Sequence, residues 1–170
     1  MSGVVRLLGP PCAERAGERL PAPRGRKPWA LLALVLTSSG PVPRQRAQDL
    51  LFADAADPRA ALRWSLSQAR RAVGDLLRIG GDPLVAEPAE GTCVDVLDVL
   101  AGRTPTGWPL AQAVLPLLEG VEPDAPDFGV WLVGRRYALR EAGAALHTRQ
   151  RATAPAGRGA VRDLVRLGAA

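Results

Sequence analysis

The spacing of apolar and polar positions divides the chain into a strand-like opening, a helical middle, a hairpin and a helical close. Residues 4 to 23 read as short strands: VVRLLG, a polar segment around Cys12 to Ala16, then ERLPAP, punctuated by Gly9, Pro10, Pro11 and Gly17. This predicts a small antiparallel sheet. The run from Trp29 to Leu36 is apolar on every side, with Pro28 where a first helical turn tolerates a missing N–H and Gly40 with Pro41 closing it. A buried core helix follows from that pattern. In GPVPRQRAQDLLF, Ala47, Leu50 and Leu51 share one side of a second, short helix while Arg44, Arg46 and Gln48 point elsewhere. A third helix, 58 to 73, has Asp57 as N-cap, Pro58 at its first position and Gly74 as stop. Its Leu62, Leu66, Ala69 and Val73 fall in one stripe, because steps of four, three and four residues stay in phase with the helical period. LLRIGGDPLVAEP, two short apolar runs around Gly80, Gly81 and Asp82, predicts a hairpin.

Residues 101 to 109, AGRTPTGWP, have linker composition and are expected to separate a domain at 1–100 from a helical region at 110–170. In that region LAQAVLPLLEG reads as a short helix. A long helix starts at about Asp127, with Phe128, Trp131, Leu132, Leu139, Ala142 and Leu146 at helical spacing, and Asp124 and Asp127 suit its positive end. TAPAGRG turns the chain into a last helix, AVRDLVRL, antiparallel to the long one; two helices so joined could open a helical-repeat array. The expected class is α+β, a small sheet with three helices and a hairpin followed by an all-α segment.

The stretch RGRKPWALLALVLTSSG has the layout of a secretion signal, but it begins too late and lacks a small-residue cleavage pattern. Its apolar run is also far short of the roughly 20 residues that span a bilayer. A cytoplasmic protein with no membrane association is expected. There Cys12 and Cys93, 81 positions apart and far from the single histidine, His147, are expected to be buried thiols and not a disulfide or a zinc site. IGGDP and AGRG match no phosphate-binding fingerprint and read as turns. His147 reads as a surface histidine, and Ser65 and Ser67 have no base beside them. Neither enzymatic chemistry nor a cofactor is expected.

Charge adds a positive expectation. Lys plus Arg total 22 against 17 Asp plus Glu, for a net charge of +5, yet Lys27 is the only lysine and the abundance of Arg, Ala, Gly and Pro points to a coding bias, so distribution has to decide. Residues 24 to 71 hold nine basic side chains against Asp49, Asp54 and Asp57. Opposite the apolar stripe of the third helix lie Ala60, Trp64, Ser67, Gln68 and Arg71, with Arg59, Arg63 and Arg70 along one flank. Arginine pairs with guanine and glutamine with adenine in the major groove, while flanking arginines hold phosphates. A solvated amphipathic helix would carry charge too, but would not leave Trp64 in water without a partner. A short helix, a turn, a longer helix and a hairpin is the order of a winged helix-turn-helix. The competing class is a protein-binding adaptor that keeps the fold without groove contacts; convergence of Arg44, Arg46, Arg59, Arg63 and Arg70 on one side separates the two.

RLLGPP, LPAPRGRKPWALLALVL, PVPRQRAQDLLF, PRAALRWSLSQARRAVGD and VDVLDVL, in this order, resemble the OmpR-type winged-helix domain of Streptomyces antibiotic regulatory proteins over residues 3 to 100. DAPDFGVWLVGRRYALREA resembles the start of the bacterial transcriptional activator domain that follows in those regulators. The resemblance implies a transcriptional activator that binds tandem direct repeats in double-stranded DNA, contacts RNA polymerase and forms a homodimer on DNA. It implies a recognition helix at Pro58 to Val73, phosphate contacts from Arg44 and Arg46, and a wing at Leu76 to Pro88, in which Arg78 is the only basic residue. Gln68 followed by Ala69 departs from the family's recognition helix. The family's activator domain runs through several helical pairs and this chain shows one, so it reads as a fragment or a reduced version.

Overall fold

The computed structural model describes residues 3–105, 108–122 and 125–153. It is an α+β fold with a small mixed sheet and, among the described residues, five α-helices. α1 (Lys27–Thr37) is buried from Pro28 to Thr37. A helix apolar on all sides is stable only when covered on all sides. α2 (Arg44–Phe52), α3 (Pro58–Val73) and a short α4 (Asp95–Leu100) supply that cover, as expected for a core helix. Among the described residues no helix is long and apolar enough to cross a membrane.

The ends of α3 form as its sequence dictates. The Asp57 carboxylate accepts the Ala60 N–H at 2.9 Å, Pro58 opens the helix, and Gly74 leaves it at a φ of 56°, where a side chain would be strained. Leu62, Leu66, Ala69 and Val73 are all buried.

The opening strands are β1 (Gly3–Arg6), β2 (Cys12–Arg15) and β3 (Glu18–Arg19), antiparallel to one another. Two corrections to the expected sheet follow. The polar segment at Cys12 is itself the central strand β2: Cys12 and Ala13 turn to the core, Glu14 meets Arg6 across the ladder at 3.0 Å, and Ala16 and Gly17, both at positive φ, make the turn to β3. The sheet is also mixed, because β6 (Thr92–Val94) pairs parallel to β1 and gives the order β3-β2-β1-β6. The hairpin lies where the sequence put it, as β4 (Leu77–Gly80) and β5 (Val85–Pro88) in a sheet of their own. Both cysteines are free thiols, Cys12 buried and Cys93 half-buried.

β6 delivers Asp95 to the end of β1. Its buried carboxylate accepts the N–H groups of Leu7 at 2.8 Å, Leu8 at 2.7 Å and Val96 at 2.7 Å, tying the first strand to α4. Burial pushes the Asp95 carboxyl up to about 7, against these three donors and nearby Arg6, which pull it down.

The expected boundary at 101–109 does not divide the core: Ala113, Leu117, Leu118, Leu132 and Leu139 belong to the same hydrophobic cluster as Leu7 and Leu31. LAQAVLPLLEG also departs from expectation. Only Leu110–Val114 coils, as a 3-10 turn, because Pro116 cannot donate within a helix and forces Leu115 out of helical backbone. The chain then meets the residues just after β1 in a single antiparallel bridge of Leu117 with Leu8, with Leu118 N–H on Leu7 O at 2.8 Å and Gly9 N–H on Pro116 O at 2.8 Å. α5 (Pro126–Thr153) covers this segment through Phe128, Leu132, Leu139 and Leu146. Gly143 permits the approach, since a Cβ there would lie 2.1 Å from Ala113 O. His147, expected at the surface, is half-buried in α5. Asp124, the turn after Thr153 and the last expected helix lie outside the described residues.

Candidate nucleic-acid interface

α2, α3 and the β4–β5 hairpin meet on one side of the molecule. Residues 53 to 57 join the two helices, and Val42, just before α2, exchanges backbone hydrogen bonds with Leu84 at 2.9 and 2.8 Å. The hairpin is thereby anchored beside the start of α2. Arg44 and Arg46 stand in the first turn of α2, which holds no acidic residue, so two guanidinium groups add to the positive end of the helix dipole.

On α3 the exposed side chains are Arg59, Arg63, Trp64, Ser67, Arg70 and Arg71. Trp64 is 50% exposed. Gln68 is not among them: it is 8% exposed, and its Oε1 accepts the Arg24 N–H at 3.2 Å. The correction has a visible cause. Ala61, Ser65, Gln68 and Ala72 form a second stripe with the same four, three, four spacing, one residue before the Leu62 stripe, and the segment ahead of α1 packs on it. The small residues at 61, 65 and 72 were the sequence signal for that packing. The outward face therefore centres on Arg63 and Ser67, with Trp64 and Arg71 on one margin and Arg59 and Arg70 on the other.

Between the two helices and the hairpin turn lies an open cleft of about 410 Å³, lined by Arg44, Gln45, Gln48, Arg59, Arg63 and Asp82. Gln48, expected to point away from the core, is 9% exposed at the cleft's floor. Asp82 had no place among the expected site residues, yet it brings a carboxylate to the mouth, its Oδ2 4.0 Å from Arg44 Nε.

The arginines expected to meet phosphates divide into two groups. Arg46, Arg59, Arg63 and Arg71 make no hydrogen bond, ion pair or ring contact among the described residues. Three others are engaged internally. Arg44 Nε donates to Gly81 O at 2.9 Å, Arg70 Nε donates to Ile79 O at 2.9 Å, and Arg78 pairs with Glu87 at 2.8 Å across the hairpin. The Arg78–Glu87 pair follows from the β4–β5 register, which sets the two residues opposite each other, and it leaves the hairpin without net positive charge. Such a site can hold an extended anion along α3 and the start of α2, while the hairpin beside it offers no uncompensated positive side chain.

In class, this is an α+β protein that exposes an arginine-rich, partly aromatic helix beside a hairpin. Compared with known proteins, the chain matches no family model, and no curated protein matches it significantly.

Proposed function

We propose that the chain is a sequence-specific transcriptional regulator of double-stranded DNA with a winged helix-turn-helix fold, α2 and α3 forming the helix pair and β4–β5 the wing. The observation that carries this reading is the set Arg46, Arg59, Arg63 and Arg71, exposed and without a partner among the described residues on the outward side of two adjacent helices. Uncompensated guanidinium groups on one face are the electrostatic requirement for neutralising a phosphate backbone. In this reading Arg63 and Ser67 face the base edges, Trp64 packs on a sugar or a thymine methyl, and Arg46, Arg59 and Arg71 hold phosphates. The resemblance to the Streptomyces regulators extends the proposal to an activator that binds tandem direct repeats as two copies and meets RNA polymerase. Val130, Val133 and Tyr137, exposed along α5, are the surface proposed for that protein contact. The same stripe is what a protein-binding adaptor without DNA contacts would use, and this is the second reading.

Selection of bound duplexes from a random library, with the full chain, separates the two. A regulator enriches a motif, and Arg63→Ala, with unchanged melting, loses preference at one position at a cost of roughly 1 to 3 kcal/mol. Absence of any enriched duplex, with binding no stronger to DNA than to a polyanion of equal charge, would leave the adaptor.

A further inference from the structure

The β4–β5 turn is gripped from two sides. Arg70, on α3, donates its Nε to Ile79 O at 2.9 Å, and its Nη2 lies so close to the turn that a Cβ on Gly80 would come within 2.6 Å of it. Arg44, on α2, donates its Nε to Gly81 O at 2.9 Å. One carbonyl near the end of β4 and one in the turn that follows it are thus each taken by a guanidinium from a different helix. The far end of the turn is closed by the Val42–Leu84 backbone pair. Among the described residues β4 pairs only with β5; Leu77, Ile79 and Leu84 seat the hairpin in the core, and the two arginines hold its outer end. A charge-assisted bond to a backbone carbonyl is directional, and two from different helices fix both position and tilt.

We propose that Arg44 and Arg70 are positioning residues, which hold the hairpin turn against α2 and α3 and so set how far the hairpin reaches along bound duplex. This rests on the DNA-binding reading, and it replaces for Arg70 the role of phosphate clamp. A clamp needs the positive charge. A positioning residue needs the donor at Nε. Glutamine separates the two requirements, because its Nε2 amide stands as many bonds from Cα as the arginine Nε and carries no charge.

The test compares the full chain with the Arg44→Gln/Arg70→Gln and Arg44→Ala/Arg70→Ala variants. Three quantities are read: amide hydrogen exchange of residues 77 to 88 in the free protein, hydroxyl-radical footprint on a duplex selected from a random library, and salt dependence of binding to it. The glutamine pair is expected to match the parent in exchange and footprint length. In the alanine pair hairpin exchange is expected to rise at least about tenfold, the scale of one of the two charge-assisted hydrogen bonds it loses, and the footprint to shorten at one end. The salt slope should stay at the parent value in both. Loss of about 0.9 unit of slope per arginine in both pairs alike would make them clamps and overturn the proposal, as would parent-like exchange in the alanine pair. If the alanine pair fails to fold, Arg70→Ala alone takes its place. If the parent binds no duplex, the regulator reading falls, and exchange in the free variants decides the positioning role separately.

Discussion

If the proposed DNA binding holds, its salt dependence follows from the partners of each arginine. Arg46, Arg59, Arg63 and Arg71 are exposed without a partner among the described residues, whereas Arg44, Arg70 and Arg78 are engaged with Gly81 O, Ile79 O and Glu87. Of the four, Arg63 faces the base edges, which leaves Arg46, Arg59 and Arg71 on phosphates. Each neutralised phosphate contributes about −0.9 to the slope of log association constant against log salt, so three give about −2.7. Raising salt from about 50 to about 200 mM should then weaken binding about 40-fold. Arg71→Ala should reduce the slope to about −1.8, because it removes one of the three phosphate contacts. Arg78→Ala should leave it unchanged, since Arg78 is neutralised by a glutamate opposite it. Fluorescence anisotropy of a labelled duplex, titrated at five salt concentrations with parent and both variants, reads all three slopes. A parent slope of about −5 would mean that the engaged arginines abandon their partners for phosphates. A slope near zero would mean that DNA does not meet this face at all.

Gln68→Ala should leave base preference untouched and lower stability by roughly 1 to 2 kcal/mol in urea unfolding, because it removes a buried acceptor of the Arg24 N–H; a changed binding motif would return Gln68 to the groove. Asp82→Asn should tighten DNA binding about two- to fivefold at low salt, the scale of one partly screened charge, because it removes a carboxylate from the mouth of the arginine-lined cleft; unaltered or weaker binding would place the duplex away from that mouth. The Asp95 carboxyl, raised to about 7 by burial against about 3.9 in an unfolded chain, holds its proton more tightly when folded. Its contribution to stability is therefore full below about pH 4 and lost as pH rises through about 7. Unfolding free energies from pH 5 to 7 should show the parent losing roughly 1 to 3 kcal/mol relative to Asp95→Asn; a constant difference, or one moving in the parent's favour as pH rises, would mean that the three N–H donors keep the carboxylate ionised throughout.

What the sequence disclosed was what local pattern determines. α1 follows from an uninterrupted apolar run, and both ends of α3 follow from Asp57, Pro58 and Gly74, each acting within one turn. β6 and α4 were not legible. TCV is too short to alternate, and its partner strand begins at Gly3, paired with Thr92. DVLDVL spans six residues, less than two turns, and is held by Asp95 reaching Leu7 and Leu8. The 3-10 turn at Leu110–Val114 could have been foreseen from Pro116. Gln68 failed for a subtler reason: two stripes of equal spacing run side by side on α3, and only the more apolar one was counted as core.

The arginines show the remaining limit of sequence reading, and it bears on how the protein would bind. Nine basic side chains between residues 24 and 71 suggested a broad positive surface. Position along a helix reveals that a guanidinium is outward, but not whether a carbonyl from a distant turn lies within its reach, as Ile79 O does for Arg70. Counting only arginines without a partner among the described residues leaves four on this face, of which Arg63 faces the bases. Three phosphate contacts are fewer than the roughly six to ten that support strong salt-dependent binding by one protein. Two copies on adjacent direct repeats would double the number and make the second association effectively intramolecular, so that modest single-site affinity becomes selective occupancy of paired sites. The same scarcity would give the hairpin its value in the proposed complex, because a hairpin of fixed tilt would add backbone contacts without further charge. A single isolated repeat should accordingly bind weakly and with the full per-copy slope, whereas a tandem pair should bind with close to twice that slope. Equal slopes on the two duplexes would show that one copy alone occupies the site.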